Sequence, residues 1–209
     1  MGEHGETVKK MRNYLSRTEP IKSGSEIPGF CKFSKIYLES LRLAKDGDNF
    51  VEIGSFLGHS TALMASLVKI SDIKINFYSI DPWRADCYDD EQIRNTLSEF
   101  SINGSYKHHV EKSLNDLRVR DYVNLVQDTS ENAVEQLKHL SFKFIFIDGL
   151  HDYENVNRDI KLWKPLLASG GMIGGDDYFA PGVIKATDEN FKKITISEGN
   201  WPYWFFKNE

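Results

Sequence analysis

Five short apolar runs, each ending at or near an acid, constrain the fold of this 209-residue chain more than any other feature. They are "NFVEIG", "KINFYSID", "YVNLVQD", "FKFIFIDG" and "MIGGDD". Between them lie segments whose apolar residues recur at helical spacing, such as "HSTALMASLVKI", "SENAVEQLKHL" and "YENVNRDIKLW". Strands alternating with helices predict a parallel sheet covered on both faces. The near-continuous apolar run "FKFIFI" is what a strand buried on both sides needs. Right-handed crossovers bring the C-terminal ends of all five strands to one edge, where such sheets bind ligands. Glu52, Asp81, Asp128, Asp148 and the pair Asp176–Asp177 are thereby predicted to gather along one rim.

The expected architecture is α/β: a doubly wound, mostly parallel seven-stranded sheet with helices on both faces. An antiparallel C-terminal hairpin within "ITISEGNWPYWFFKN" completes it. A helix is expected over "FSKIYLESLRLA", and one or two over residues 89–118, broken near "SINGS". Ser60, Thr61 and Ser130 are candidate helix caps. Residues 1–32 are expected to form a cap or lid, and residues 33–209 a single domain.

The loop "EIGSFLGHST" narrows the ligand. It lacks the G-x-G-x-x-G of a dinucleotide fingerprint, since residue 56 is Phe, and it lacks the lysine of a phosphate P-loop. An acid just ahead of the turn would repel phosphate. The loop therefore suits a ligand with a positive or neutral group at the strand end, such as a cationic amino acid joined to adenosine.

On these residues the chain resembles the class I S-adenosylmethionine-dependent methyltransferases. The resemblance implies that Gly54, Ser55, Gly58 and Ser60 line the path of the cofactor's methionine part, with Glu52 facing its ammonium. It further implies Asp81 on the ribose hydroxyls, Trp83 over the adenine, and Asp128 with Ser130 near the adenine amine. Alone, each has a plainer reading, Asp128 above all as a cap of the helix that follows it.

Asp148, Asp176 and Asp177 end two strands expected to be neighbours, about 4.8 Å apart. Carboxylates that close share protons or hold a cation, and oxygen ligation favours magnesium or manganese over zinc. "IDGLHDYENV" followed by "LLASGGMIGGDDY" resembles the small metal-assisted O-methyltransferases of the macrocin type, and proteins labelled cephalosporin hydroxylase. That resemblance implies a Mg2+ site at Asp148, Asp176 and Asp177. Some of that family carry an aspartate base two residues after the strand-four acid. Here that position is Leu150, and His151 beside it becomes the expected base, with Asp148 as its catalytic companion.

The implied activity is methyl transfer to a hydroxyl of a sugar or glycan. A catechol-like diol is an alternative acceptor. An inactive cofactor-binding scaffold and a non-haem oxygenase are rival classes, the latter disfavoured because iron sites of that kind usually use two histidines. A net charge of −5 argues against a nucleic-acid partner. No apolar run approaches a bilayer span, and the polar start lacks a secretion signal. Cys31 and Cys87 are too far apart to suggest a disulfide framework or metal ligation. A cytoplasmic protein acting on a small molecule is expected, with homo-oligomerisation left open.

Overall fold

The computed structural model describes Ile27 and residues 32–209. The proposed cap of residues 1–32 therefore falls almost wholly outside the described residues, as does Cys31.

The strands are β1 (Asn49–Ile53), β2 (Asn76–Ile80), β3 (Asn124–Val126), β4 (Phe142–Ile147), β5 (Leu167–Gly175), β6 (Thr195–Ile196) and β7 (Trp204–Lys207). They form one seven-stranded sheet in the order β3-β2-β1-β4-β5-β7-β6. β1 to β5 are mutually parallel, and β7 runs antiparallel to both β5 and β6. The expected architecture, including its C-terminal hairpin, is the observed one.

The helices are α1 (Ser34–Leu43), α2 (His59–Ser71), α3 (Glu91–Glu99), α4 (Lys107–Asp116), α5 (Ser130–Leu137), α6 (Tyr153–Trp163) and α7 (Pro181–Asn190). Side chains alternate across each strand, so the sheet has two distinct cores. Phe50, Phe77, Phe144, Phe146 and Met172 face α1 to α4, packing on Tyr37, Leu41, Leu67, Leu97 and Val110. Val51, Ile53, Ile80, Ile145, Ile147 and Ile173 face α5 to α7, against Val134, Val156, Ile160, Trp163 and Val183. Trp163 is thus a core residue. The two long segments between β1 and β4 place β2 and β3 on one side of β1, and the chain then returns to build β4 and β5 on the other. The order reverses between β1 and β4, and the crevice above such a reversal is where a ligand fits.

Three local expectations are corrected. The N-cap of α2 is Gly58, left-handed at φ 86°, and no side chain caps it. Gly58 is needed there for space as well as φ: a Cβ would meet Val110 Cγ1 at 2.7 Å. The cap of α5 is Thr129, whose side chain accepts from Asn132 N, so Ser130 is already the first helical residue. β5 begins at Leu167, earlier than the run "MIGG" suggests, because Pro165 ends the helical stretch in a 3-10 turn over Lys164–Leu166. Among the described residues, no helix is long and apolar enough to cross a membrane.

Candidate functional site

Two cavities open above the C-terminal ends of the parallel strands. One, of about 330 Å³, is lined by Gly54, Asp81, Asp128 to Glu131, Asp148 to Leu150, and Asp159. The other, of about 440 Å³, is lined by Ser55, His59, Ser60, His151, Asp176, Asp177, Phe179 and Trp201. Gly54, Phe56, Tyr88, Asp148 and Gly149 line both, so the cavities meet at the tips of β1 and β4.

Gly54 makes this junction possible. Its φ is +87°, and a Cβ would stand 2.1 Å from the carbonyl oxygen of Asp148. Only glycine lets the loops after β1 and β4 pass this closely. Asp148 N donates to Ile53 O at 2.7 Å, continuing the ladder past the strand ends.

At the junction Asp148, His151 and Asp177 converge, one ligand atom from each lying within 4.8 Å of the others. His151 Nε2 is 2.9 Å from Asp177 Oδ2 and 3.8 Å from Asp148 Oδ1. Asp177 is held at φ 54°, and Phe179 N and Ala180 N donate to its carbonyl. Burial pushes the Asp148 carboxyl up to about 7, against the pull of the His151 hydrogen bond. Hydrogen bonds to Asp148 and Asp177 raise His151 to about 10. Asp176 lines the same cavity but is not one of the three converging side chains. Its Oδ1 is buried without a partner, and burial lifts its carboxyl to about 6. The expected trio of acids is thus observed as two acids and a histidine, with the third acid beside them.

Other expected contacts are placed differently. Glu52 is 1% exposed and lines neither cavity. It accepts from Tyr37 Oη at 2.6 Å, Thr61 Oγ1 at 2.5 Å and Ser79 Oγ at 3.1 Å. Burial raises its pKa and these hydroxyls lower it. Its place on the strand face turned toward α1 and α2 makes it a buried tie rather than a rim acid. Trp83 is fully buried, so it cannot cover a base; its Nε1 donates to Ser55 Oγ at 3.0 Å and anchors the loop.

Asp81 lines the first cavity, yet its oxygens hold the loop as well. Oδ2 accepts from Ser55 N and Phe56 N, both at 3.0 Å, and Oδ1 from Trp83 N at 2.6 Å. Burial raises its pKa against these amides. Asp128 also lines that cavity, and its carboxylate accepts from Thr129 N, Asn132 Nδ2 and Gln136 Nε2, each at 2.9 Å. The plainer reading of Asp128 as a helix-start residue is satisfied by these bonds. Ser130 lines the cavity while its Oγ accepts from Trp163 Nε1 at 2.9 Å.

Sequence reasoning missed Phe56, Tyr88, Asp159, Phe179 and Trp201 as lining residues. The exposed Phe179 and Trp201 rings stand edge to face with centroids 5.1 Å apart. An aromatic and a carboxylate just past a strand-end acid, "DDYFAPG", was the available signal for Phe179. His59 places Nδ1 3.0 Å from Ile27 O and also lines the second cavity.

The model of a family described as a methyltransferase domain matches residues 51–178, spanning the glycine loop and every acid of the rim. The chain belongs to this methyltransferase family. A relative, uncharacterized protein R132 of Acanthamoeba polyphaga mimivirus, is 31% identical over 165 residues, covering 77% of this chain and 66% of that protein. Uncharacterized protein y4gI of Sinorhizobium fredii is 22% identical across 74% of this chain and 14% of its own length. The chain thus spans just under two thirds of the first curated relative and a small part of the second.

Among solved structures, the O-methyltransferase NovP superposes with a TM-score of 0.68 at 14% identity, covering 98% of this chain and 97% of that one. CalS11, a TDP-rhamnose 3'-O-methyltransferase of calicheamicin biosynthesis, gives 0.61 at 15% identity, with 98% and 94% covered. A Bacillus cereus O-methyltransferase in complex with SAH gives 0.56 at 13%, with 96% and 89% covered. At these identities the likeness is one of fold.

Proposed function

We propose that this methyltransferase domain moves a methyl group from S-adenosylmethionine to a hydroxyl of a small ring-bearing acceptor, a sugar in the first instance. The observation that carries the reading is the pair of cavities joined at the Gly54–Asp148 contact, with Asp148, His151 and Asp177 at the join. Donor and acceptor placed in separate cavities meet only where these groups stand.

The first cavity suits the nucleoside half of the cofactor, since it is bounded by the loop after β1 and by residues after β2, β3 and β4. Asp81 is within it to meet ribose hydroxyls, sharing its oxygens with the loop amides it already holds. In the reaction the acceptor oxygen forms a bond to the methyl carbon as the carbon–sulfur bond breaks, giving a methyl ether and S-adenosylhomocysteine. The chain's contribution is alignment and the handling of one proton.

The carboxylates fit a divalent cation: Asp148 and Asp177 converge, Asp176 Oδ1 lies beside them unpartnered, and burial disfavours their uncompensated charge. Such an ion would supply positive charge that makes a hydroxyl more acidic. Asp148 and Asp177 would hold it, with Asp176 beside them. His151 Nε2 takes the acceptor proton. Facing two carboxylates alone, it is held protonated; it becomes a base when those carboxylates are engaged elsewhere.

The Phe179–Trp201 pair and Phe56 give the second cavity flat apolar walls, which suit the face of a sugar ring or a phenol. CalS11 acts on a rhamnose, and the shared fold favours the sugar. One histidine in the cluster disfavours an oxygenase iron site.

The test is transfer of labelled methyl from S-adenosylmethionine to panels of nucleotide sugars, oligosaccharides and catechols, with and without chelator. Turnover on a sugar that is lost in chelator and restored by Mg2+ or Mn2+ is expected. Tight NAD binding with no affinity for S-adenosylmethionine or S-adenosylhomocysteine overturns the reading.

A further inference from the structure

Asp159 is an acid of the first cavity for which the expected roles left no use. It lies in the second turn of α6, 4% exposed, and shares the cavity wall with Ser130, Glu131, Leu150, Asn155 and Arg158. Its Oδ1 is buried without a hydrogen-bond partner. The carboxyl group lies against the loop after β4, where a Cβ on Gly149 would find its Oδ2 at 3.7 Å. Ser130 offers it a hydroxyl, itself fixed by Trp163 Nε1.

A buried carboxylate oxygen with no donor is costly, and a ligand that brings one relieves the cost. The cavity's other outlying acids cannot do this as readily: Glu131 is paired with Arg158 at 2.5 Å. Asp128 already accepts three bonds, from Thr129 N and Asn132 Nδ2 at the start of α5 and from Gln136 Nε2 further along it. The place of Asp159 also selects the part of the ligand. Gly54 and Asp148 mark the reacting end, where the cavities join, and Asp81 marks the middle at the tip of β2. Asp159, in the second turn of α6, reaches from the loop after β4 to Ser130, which begins α5 after β3, the parallel strand farthest from the join on that side.

We infer that Asp159 receives the exocyclic amino group of the cofactor's adenine and is the residue that selects an adenine nucleoside. The inference rests on the proposed use of S-adenosylmethionine and deepens it. An amino group donates to a carboxylate, whereas the carbonyl of hypoxanthine at the same position meets it with a lone pair.

The experiment is calorimetric binding of S-adenosylhomocysteine and S-inosylhomocysteine to the full chain and to Asp159→Asn and Asp159→Ser. The wild-type chain is expected to prefer the adenine compound by about 10- to 100-fold, the span of a charge-assisted hydrogen bond. Asp159→Asn keeps the shape, and its amide can serve either base, so the ratio should collapse to within about threefold of unity. Asp159→Ser removes the carboxylate altogether and should do the same, which keeps the test decisive if Asp159→Asn folds poorly. The ratio is the readout because a merely structural role would weaken both ligands together. Tight S-adenosylhomocysteine binding with an undiminished ratio in both variants overturns the assignment while sparing the function. A ratio lost in Asp128→Asn but kept in Asp159→Asn returns the role to Asp128. No binding of S-adenosylhomocysteine to the wild-type chain overturns the functional reading itself.

Discussion

If Asp159 is kept for a ligand, the ligand-free fold should be stabler without its charge. Burial raises its carboxyl from 3.8 to about 6 against the Ser130 hydrogen bond; Arg158 pulls it down, while Glu131 and Asp152 push it up. Arg158 is itself paired, with Glu131 at 2.5 Å. The difference of roughly two pH units corresponds to about 3 kcal/mol at ~1.36 kcal/mol per unit. The sign follows from proton counting. Well below pH 3.8, the folded and unfolded chains both hold the proton and no penalty applies. Between about pH 4 and 6 the unfolded chain releases it while the folded chain keeps it, so stability falls as pH rises; above about 6 the loss is complete. Asp159→Asn lacks this titration. Urea unfolding without cofactor, followed by tryptophan fluorescence from pH 4 to 7.5, should show variant and wild type converging as the pH falls toward 4. The variant should lead by about 1–3 kcal/mol at pH 7, the lower figure allowing for the amide's own unmet hydrogen bonds. A difference that does not change with pH, or a variant less stable at pH 7, would refute the claim that this carboxylate is a burden on the ligand-free fold.

Asp177→Asn should weaken Mn2+ binding by about tenfold or more, read by calorimetry or spin resonance, while S-adenosylhomocysteine affinity stays within about threefold. Gly54→Ala forces a left-handed alanine, about 1–2 kcal/mol by itself, into the Asp148 carbonyl, and should abolish methyl transfer and lower the denaturation midpoint. Tyr37→Phe strips one of three hydroxyl donors from Glu52 and should cost about 1–3 kcal/mol in urea unfolding, without a change in the acceptor KM. Trp201→Ala should raise the acceptor KM and leave cofactor affinity unaltered, since Trp201 lines only the second cavity.

The parallel strands, the hairpin and the rim of acids were legible because apolar runs ending in Gly or Asp report burial and turn in the same residues. What the sequence could not assign is the direction of each side chain. Alternation puts Glu52 on the face of Phe50, but β1 is apolar on both faces, so nothing in "NFVEIG" shows that this face turns toward α1 and α2 while the first cavity takes Ile53 from the opposite one. Trp83 follows an acid at a strand end, a good position for a ligand wall. A left-handed turn at φ 47° instead sends its ring under the loop, a conformation no propensity foretells for tryptophan. Asp159 was hidden for a different reason: it occupies a helical position among Val156, Ile160 and Trp163, and helical periodicity alone cannot distinguish a core acid from a boundary one.

The acids at the strand ends share one topological origin, and their different partners explain why a cation belongs with only some of them. Glu52 is answered by three hydroxyls, Asp81 by three backbone amides, and Asp128 by one backbone and two side-chain amides. Those neutral donors all belong to the chain itself, so each of these carboxylates is stabilised by folding alone. Asp148 and Asp177 share a single imidazole, and Asp176 has a buried oxygen that nothing reaches. Three carboxylates around one protonated histidine leave net negative charge at the junction of the two cavities. Charge there is expensive to bury and cheap to neutralise with a cation. Chelation should therefore disturb the junction and leave the loop held by Asp81 in place. Hydrogen exchange at the Ser55 and Phe56 amides, compared with that of the loop after β5 in Mg2+ and in chelator, would show it: equal loosening of both loops would contradict this division of labour.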